Sequence, residues 1–405
     1  MQSQRLKLGE AVPFRPSGSN KMKTVSLGIL LTVSSMGVAT AQSTVTLYGL
    51  ADAGFVYNNN SGGAKLYSLA SGNQQGSRWG LRGSEDLGSG LTAIFILENG
   101  YSVTNGRLAQ GGDEFGRQAY VGLGSRTYGT VTLGRQYDSV VDFTGRLVSA
   151  TQWATGYGAH PGDLDNMDNN NRVNNAIKFR SANYAGFAAG GLYSLGGVAG
   201  QFSRNQIWSV GAGYDRGPLT LGAGYLHIKD PNYSFFGNNS TSSTTASNMT
   251  GSLVYSGYAS AKTQQVISAG AAYTLGAATL GATYSNTQFK DIGTETGLAA
   301  VGRGGSAKFH NAELNMKYQL TPALLLGIAY DYTHGYGVND ATYHQINVGA
   351  DYFLSKRTDL YLVGLYQHAS GTDSTGQPAR ANLNALSPSS TANQLAAIAG
   401  IRLKF

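Results

Sequence analysis

The densest set of oxygen ligands in the chain is Asp163-Leu164-Asp165-Asn166-Met167-Asp168-Asn169. Asp163, Asp165 and Asp168 could offer oxygens to a hard cation such as Ca²⁺. The run lacks the spacing and the closing glutamate of an EF-hand loop, so it makes an incomplete calcium candidate. Other chemistries have less to stand on. The chain has no cysteine, which excludes disulfides, thiolate metal sites, iron–sulfur clusters and cysteine nucleophiles. The six histidines, at 160, 227, 310, 334, 344 and 368, form no pair at metal-binding spacing. No serine sits in a G-x-S-x-G elbow with an assignable partner, and there is no P-loop. The residues predict a protein that is not an enzyme and carries no cofactor.

Charge at regular spacing is the remaining chemistry. Arg78 and Arg82 fall on one face of an alternating run, opposite Trp79 and Leu81. Arg117 joins that face if Tyr120 takes the other one. Arg172, Lys178 and Arg180 share a phase with Asn174, against Val173, Ile177 and Phe179. Arg135 is out of phase with Thr132 and Gly134 and stays off this wall. The Gly- and Asn-rich stretch 139–171 carries Asp142, Asp163, Asp165 and Asp168, and Asp52 lies near the start of the patterned region. A basic wall facing a carboxylate-bearing loop would create a transverse field that orients dipolar solutes and sets ion preference. Six cations against five anions predict a modest preference for anions. The plainer reading of the stretch is a solvated acidic loop.

Strands must position these charges. Charged residues are only 13% of the chain, and there are 57 Gly and 25 Tyr, which argues against helical bundles and coiled coils. Period-two alternation recurs throughout. Gln345, Asn347, Gly349 and Asp351 oppose Ile346, Val348, Ala350 and Tyr352; Asn311, Glu313, Asn315, Lys317 and Gln319 oppose Ala312, Leu314, Met316 and Tyr318. Short turns at 86–90, 125–129, 183–186, 216–218, 275–277, 320–322 and 355–358 alternate with long loops near 58–73, 104–113, 139–171, 197–204, 230–262, 291–306, 335–340 and 371–392. They separate sixteen strands in hairpin order. Tyr214, Tyr273, Tyr318 and Tyr352 precede short turns on apolar faces, and Tyr225, Tyr284, Tyr330 and Tyr366 follow apolar stretches. Two tyrosine rings around an apolar band mark the two interfaces of a membrane. An apolar exterior would aggregate in water, whereas a closed sheet in lipid pairs all its backbone groups. Sixteen strands leave a lumen too wide for side chains to fill, so it should hold water. The fold class is an all-β transmembrane antiparallel barrel. An exported β-sandwich or lectin would need a second sheet, which the pattern lacks. A barrel hydrolase would need a Ser/His/acid set, which is also missing.

Lys21-Met22-Lys23, the apolar run 25–38 and Ala39-Thr40-Ala41 read as a signal peptide cut before Gln42, with translation starting at Met22. Residues 1–41 thus form a leader and 42–405 a single barrel domain. Arg5, Lys7, Arg15, Lys21 and Lys23, against Glu10 alone, account for four of the net +7 charges. A basic surplus held largely by a leader is no sign of nucleic-acid binding.

The run Ser43–Gly54 (STVTLYGLADAG), Ser77–Leu91 (SRWGLRGSEDLGSGL), Arg117–Leu123 (RQAYVGL), Gly129–Tyr137 (GTVTLGRQY) and the terminal Phe405 resemble the general porins of Gram-negative bacteria. The resemblance covers the mature chain in architecture and about 42–137 in motif detail. It implies a homotrimeric, sixteen-stranded outer-membrane channel with short periplasmic turns and long external loops, through which ions and small hydrophilic solutes diffuse. It implies that the loop at about 139–171 folds into the lumen as a constriction. It also implies contact with outer-membrane lipid and lipopolysaccharide, periplasmic chaperones and the barrel-insertion machinery. Gly400, Leu403 and Phe405 match the family's terminal assembly signal, with Ile398 where a polar residue is more usual. Small outward residues on the first strand (Val45, Leu47, Gly49, Ala51, Ala53) and the last (Ala397, Ala399, Ile401) suit either a subunit interface or lipid.

Overall fold

In the computed structural model, which describes residues 43–235 and 242–405, the alternating runs become seventeen strand segments. These are β1 (Thr44–Ser61), β2 (Ala64–Ser71), β3 (Arg78–Gly88), β4 (Leu91–Gly100), β5 (Gln118–Ser125) and β6 (Gly129–Gln136). After the longest loop come β7 (Val173–Ser181), β8 (Phe187–Ser194), β9 (Ile207–Arg216), β10 (Leu219–Lys229), β11 (Thr263–Leu275) and β12 (Ala278–Lys290). The last five are β13 (Ala307–Thr321), β14 (Leu324–Gly337), β15 (Thr342–Phe353), β16 (Thr358–Ser370) and β17 (Asn393–Lys404). The leader and its cleavage site lie outside the described residues.

Every neighbour pair is antiparallel, and β17 pairs with β1 from Leu50 opposite Lys404 to Asn58 opposite Ala396, which closes the sheet. β1 pairs with β3 along its first half and with β2 along its second. β2 and β3 are therefore one strand interrupted over 72–77, and the barrel has sixteen strands. Asp52 holds the interruption: its Oδ2 accepts the backbone N–H groups of Gln74 and Gln75, both at 2.9 Å. The seven short turns fall where the sequence places them. The segment 58–73 does not form the expected long loop. It is a hairpin turned at Gly62 and Gly63, both at positive φ. Its polar outer half is held by strand pairing and by outward Tyr57 packed 5.2 Å from Tyr67.

The two faces sort as the alternation requires. Leu314 is 66% exposed on the outside while its neighbour Glu313 is 1% exposed within. Outward Tyr273, Tyr318 and Tyr352 lie near the short turns, and Tyr284, Tyr330 and Tyr366 lie toward the loops. The interior departs from the expectation of a uniformly polar, wet lumen. Toward the loop end, inward Leu226, Ile228, Val266, Phe289, Phe309 and Tyr343 are buried, packed with Met249, Val254 and Tyr258 of the loop after β10. Each such side chain contributes about 1.5–3 kcal/mol on burial, so these loops are anchored inside the barrel mouth. The same logic accounts for Ile398, which packs inward against Val56, Val363 and Leu383.

At the closing seam, Gly49 and Phe405 exchange two backbone hydrogen bonds of 3.0 Å. A Cβ on Gly49 would lie 2.5 Å from the Phe405 ring, so the ring lies flat on bare backbone. Gly400 is equally confined, because a Cβ there would meet the Tyr361 hydroxyl at 2.2 Å. Deleting Phe405 removes both seam bonds, worth about 2 kcal/mol, together with the ring contact. The expected result is normal synthesis but about tenfold less heat-modifiable barrel in outer-membrane fractions, read by gel shift. Wild-type yield would contradict it.

Candidate functional site

The segment 137–172 runs inside the barrel, and the wall opposite β1–β6 is built to receive it. It opens with helix α1 (Ser139–Phe143), capped by Asp138. Asp138 Oδ1 accepts from Val140 N at 2.7 Å and Val141 N at 3.3 Å, and its Oδ2 accepts from Asn166 Nδ2 at 2.8 Å. α1 rests on β9 and β10 where the inward residues are glycines. A Cβ on Gly222 would come within 2.1 Å of the Phe143 carbonyl oxygen. Further along, the polar inward residues of β11, β13 and β15 bind loop backbone. Glu313 accepts from Ser149 N (2.8 Å) and Ser149 Oγ (2.7 Å). Asn315 donates to the Leu147 carbonyl (2.9 Å), Asn347 to that of Gly158 (2.9 Å) and Gln264 to that of Leu164 (3.0 Å). Trp153 is buried over Gly327 and Gly349.

His160 is the charged centre of this attachment. Its Nδ1 lies 2.8 Å from Asp165, and its Nε2 lies 3.5 Å from Asp331 and 3.7 Å from Glu313. All four side chains are buried. Burial alone would lower the imidazole pKa, but Asp165, then Asp331, and the hydrogen bonds to Asp165 and Glu313 hold it well above the ordinary histidine value. A buried cation thus joins the loop to β13 and β14. Asp165 also accepts from Ser285 Oγ of β12 at 2.6 Å.

Across from the attached loop, a cavity of about 740 Å³ lies between loop and wall. Arg78, Arg117, Arg172 and Lys404 line it, with Glu98 and Asp168, beside Tyr48, Tyr137 and Tyr157. Arg117 Nε donates to Glu98 Oε1 at 2.8 Å and its Nη2 to the Tyr137 hydroxyl at 3.1 Å. Arg172 lies over the Tyr137 ring at 5.4 Å and donates to Asn169 Oδ1 and the Asn170 carbonyl. Among the described residues, Arg78 and Lys404 pair with no carboxylate. Burial and the nearby Asp163 carboxylate push Asp168 well above the usual carboxylate range, against the pull of Arg172. The last long loop completes the rim: Asn384 accepts from Asn170 Nδ2 (3.3 Å) and donates to the Gly156 carbonyl (2.9 Å).

Residues 29–372 match the family model for Gram-negative porins. The chain belongs to that family. It is 32% identical over 355 residues to outer membrane porin protein 32 of Delftia acidovorans, covering 83% of this chain and 87% of that one. It is 33% identical over 237 residues to an outer membrane porin protein of Bordetella pertussis, covering 52% of this chain and 61% of that relative. Among solved structures, the anion-selective porin from Comamonas acidovorans superposes with a TM-score of 0.67 at 25% identity, over 90% of this chain and 100% of that one. OmpT of Vibrio cholerae in its trimer form shares the fold (TM-score 0.60, 15% identity, 90% and 99% covered). This porin is an outer-membrane channel and not an enzyme.

The porin's sequence-predicted site residues separate into three groups. Arg78, Arg117, Arg172 and Asp168 meet at the cavity. Lys178 pairs with Asp142 at the foot of α1, and Arg180 lies 3.9 Å from the same carboxylate and 5.0 Å over the Phe143 ring. Arg82 lies over the Tyr48 ring at 5.4 Å and lines a smaller hollow of about 270 Å³ with Thr46, Ile96 and Tyr120. Asp163 and Asp165 do not face the arginines. Asp163 turns back to accept from Asp168 N (2.9 Å) and Asn170 N (3.0 Å), and Asp165 serves His160. Among the described residues no three His, Asp or Glu side chains are arranged to hold a metal ion, so the calcium reading of Asp163, Asp165 and Asp168 falls. Two phases also need correcting. Tyr120 faces inward, and Arg117 reaches the lumen because it precedes β5. Asn174 leaves the wall because a bulge puts both Val173 and Ala176 inward, and it accepts from Arg135 instead. Glu98 and Lys404 carry no clean alternation signal. Glu98 ends the apolar run Ile94–Leu97, and Lys404 is the penultimate residue.

Proposed function

We propose that this porin passes ions and small hydrophilic solutes by diffusion through a charged eyelet with a modest preference for anions, and that it works as a homotrimer. The anion preference rests on the cavity itself, where Arg78, Arg117, Arg172 and Lys404 outnumber Glu98 and Asp168. A relative of the same fold is described as anion-selective, which agrees in sign. A cation within a few Å of a passing ion changes its energy by about 1 kcal/mol at high dielectric, enough for a several-fold permeability ratio. The homotrimer is supported by the smooth arc of Gly49, Ala51 and Ala53 beside Ala397 and Ala399, where β1 meets β17. Outer-membrane lipid, periplasmic chaperones and the insertion machinery are the partners this reading requires; nucleic acid is not among them.

The test is a planar-bilayer recording of purified protein across a tenfold KCl gradient, with native mass measurement of the same sample. The expected outcome is a reversal potential of anion-selective sign that shrinks as total salt rises and screening shortens, from a particle of three chains. A cation-selective sign would overturn the eyelet reading, and monomers alone would overturn the trimer.

A further inference from the structure

Five of the six histidines are not in the lumen. His227 on β10, His310 on β13, His334 on β14, His344 on β15 and His368 on β16 all occupy outward positions at the loop end of the barrel. They lie on the far side of the outer tyrosines from the apolar band. His227 and His368 are two residues beyond Tyr225 and Tyr366, His344 pairs with Tyr332, and His310 pairs with His334. β1–β9 carry no histidine. The cluster is thus confined to the arc away from the proposed subunit interface, where the barrel meets lipid.

Their hydrogen bonds share one pattern. In each ring Nδ1 is engaged: by Gln265 at 3.1 Å, the Tyr284 hydroxyl at 2.6 Å, Thr342 at 2.9 Å, the Tyr330 hydroxyl at 2.7 Å and Asn393 at 2.9 Å, in chain order. Among the described residues none of the five Nε2 atoms has a protein partner. Where a Gln amide or Tyr hydroxyl donates to Nδ1, the neutral ring keeps its proton on Nε2 and offers it outward. Lys229, Lys290 and Lys308 stand at the same end of β10, β12 and β13, with Lys308 Nζ 5.7 Å from the Tyr336 ring. The carboxylates of β10–β16 are Glu313, Asp331, Asp351 and Asp359, and all four are buried on the inner face. This outer rim therefore presents donors and cations with no competing carboxylate on its strands.

We propose that this histidine–lysine belt binds the phosphate groups of outer-leaflet glycolipid, the Nε2–H donors and the lysines taking phosphate oxygens while the acyl chains lie on the apolar band below. It rests on the outer-membrane placement of the barrel and not on the eyelet. Phosphate is the chemistry that fits fixed outward N–H donors beside ammonium groups, and the apolar band beneath selects a lipid over a free ion.

The test is native mass spectrometry of the detergent-purified protein incubated with bis-phosphorylated lipid A, with its dephosphorylated form, or with inorganic phosphate. Retention of the phosphorylated lipid alone is expected. Lys308→Gln should weaken it about fivefold, and His310→Gln with His344→Gln should weaken it further. Heat-modifiable mobility and KCl conductance should stay at wild-type values in these variants, which shows intact barrels and keeps the channel reading separate. Equal retention of the two lipids, unchanged retention by the variants, or inorganic phosphate held as firmly as the lipid would each overturn the proposal.

Discussion

Exchanging Arg78 and Lys404 together for glutamine should abolish most of the anion preference, moving the reversal potential in a tenfold KCl gradient close to zero. These are the two eyelet cations without a carboxylate partner, and they equal the surplus of Arg78, Arg117, Arg172 and Lys404 over Glu98 and Asp168. At about 1 kcal/mol each, their combined loss is worth roughly one order of magnitude in permeability ratio. Glutamine keeps the length and polarity of the wall, so conductance at high salt should change little. The pair Arg78→Ala with Arg117→Ala should shift the potential in the same direction. It is a poorer probe, because removing Arg117 strands Glu98 from its 2.8 Å partner. Asp163→Asn with Asp165→Asn addresses loop attachment instead, since neither carboxylate faces the arginines. An unchanged potential in the Arg78/Lys404 variant would place the constriction elsewhere.

The second large effect is expected from His160→Gln. Glutamine leaves Asp165, Glu313 and Asp331 buried without their cation, a loss of about 3–5 kcal/mol for a broken buried pair. The cost falls on attachment of the 137–172 segment and not on the barrel, whose strands pair independently of it. Single channels should become noisier, with frequent excursions to higher conductance, while heat-modifiable mobility is kept. Wild type should show the same behaviour on the alkaline side. The His160 pKa is raised in the folded protein, so the stabilisation is complete below the unfolded value near 6.5 and fades as pH climbs through the higher folded one. The variant should lack that pH dependence. Quiet, wild-type-sized channels from His160→Gln at neutral pH would show that the hydrogen bonds of Asn315, Asn347 and Gln264 suffice alone.

Strand number, turn positions and face assignment were legible because a bilayer outside and polar groups inside enforce strict alternation, as in Gln345 to Tyr352. What could not be read depends on register and on return contacts. A single bulge moved Asn174 off the wall. The orientation of Asp165 is decided by Ser285, 120 residues away, and by His160. The inward apolar residues Phe289 and Phe309 keep the alternation but carry no mark that a loop will cover them. Glu98 was accessible through register alone, since pairing β4 with β5 sets it opposite Gln118, next to Arg117.

The glycines beneath α1 carry a practical consequence for tuning this channel. Gly211, Gly222 and Gly224 never touch the permeating stream, yet their bare backbone fixes how far the helix recedes from the axis. A methyl group at Gly222 would act as a shim behind the helix, and with 2.1 Å to the Phe143 carbonyl the helix has to advance. The calibre of the pore can therefore be stepped down from a position whose side chain no solute meets. A survey of permeability variants confined to the lining would miss the residues that gauge the bore.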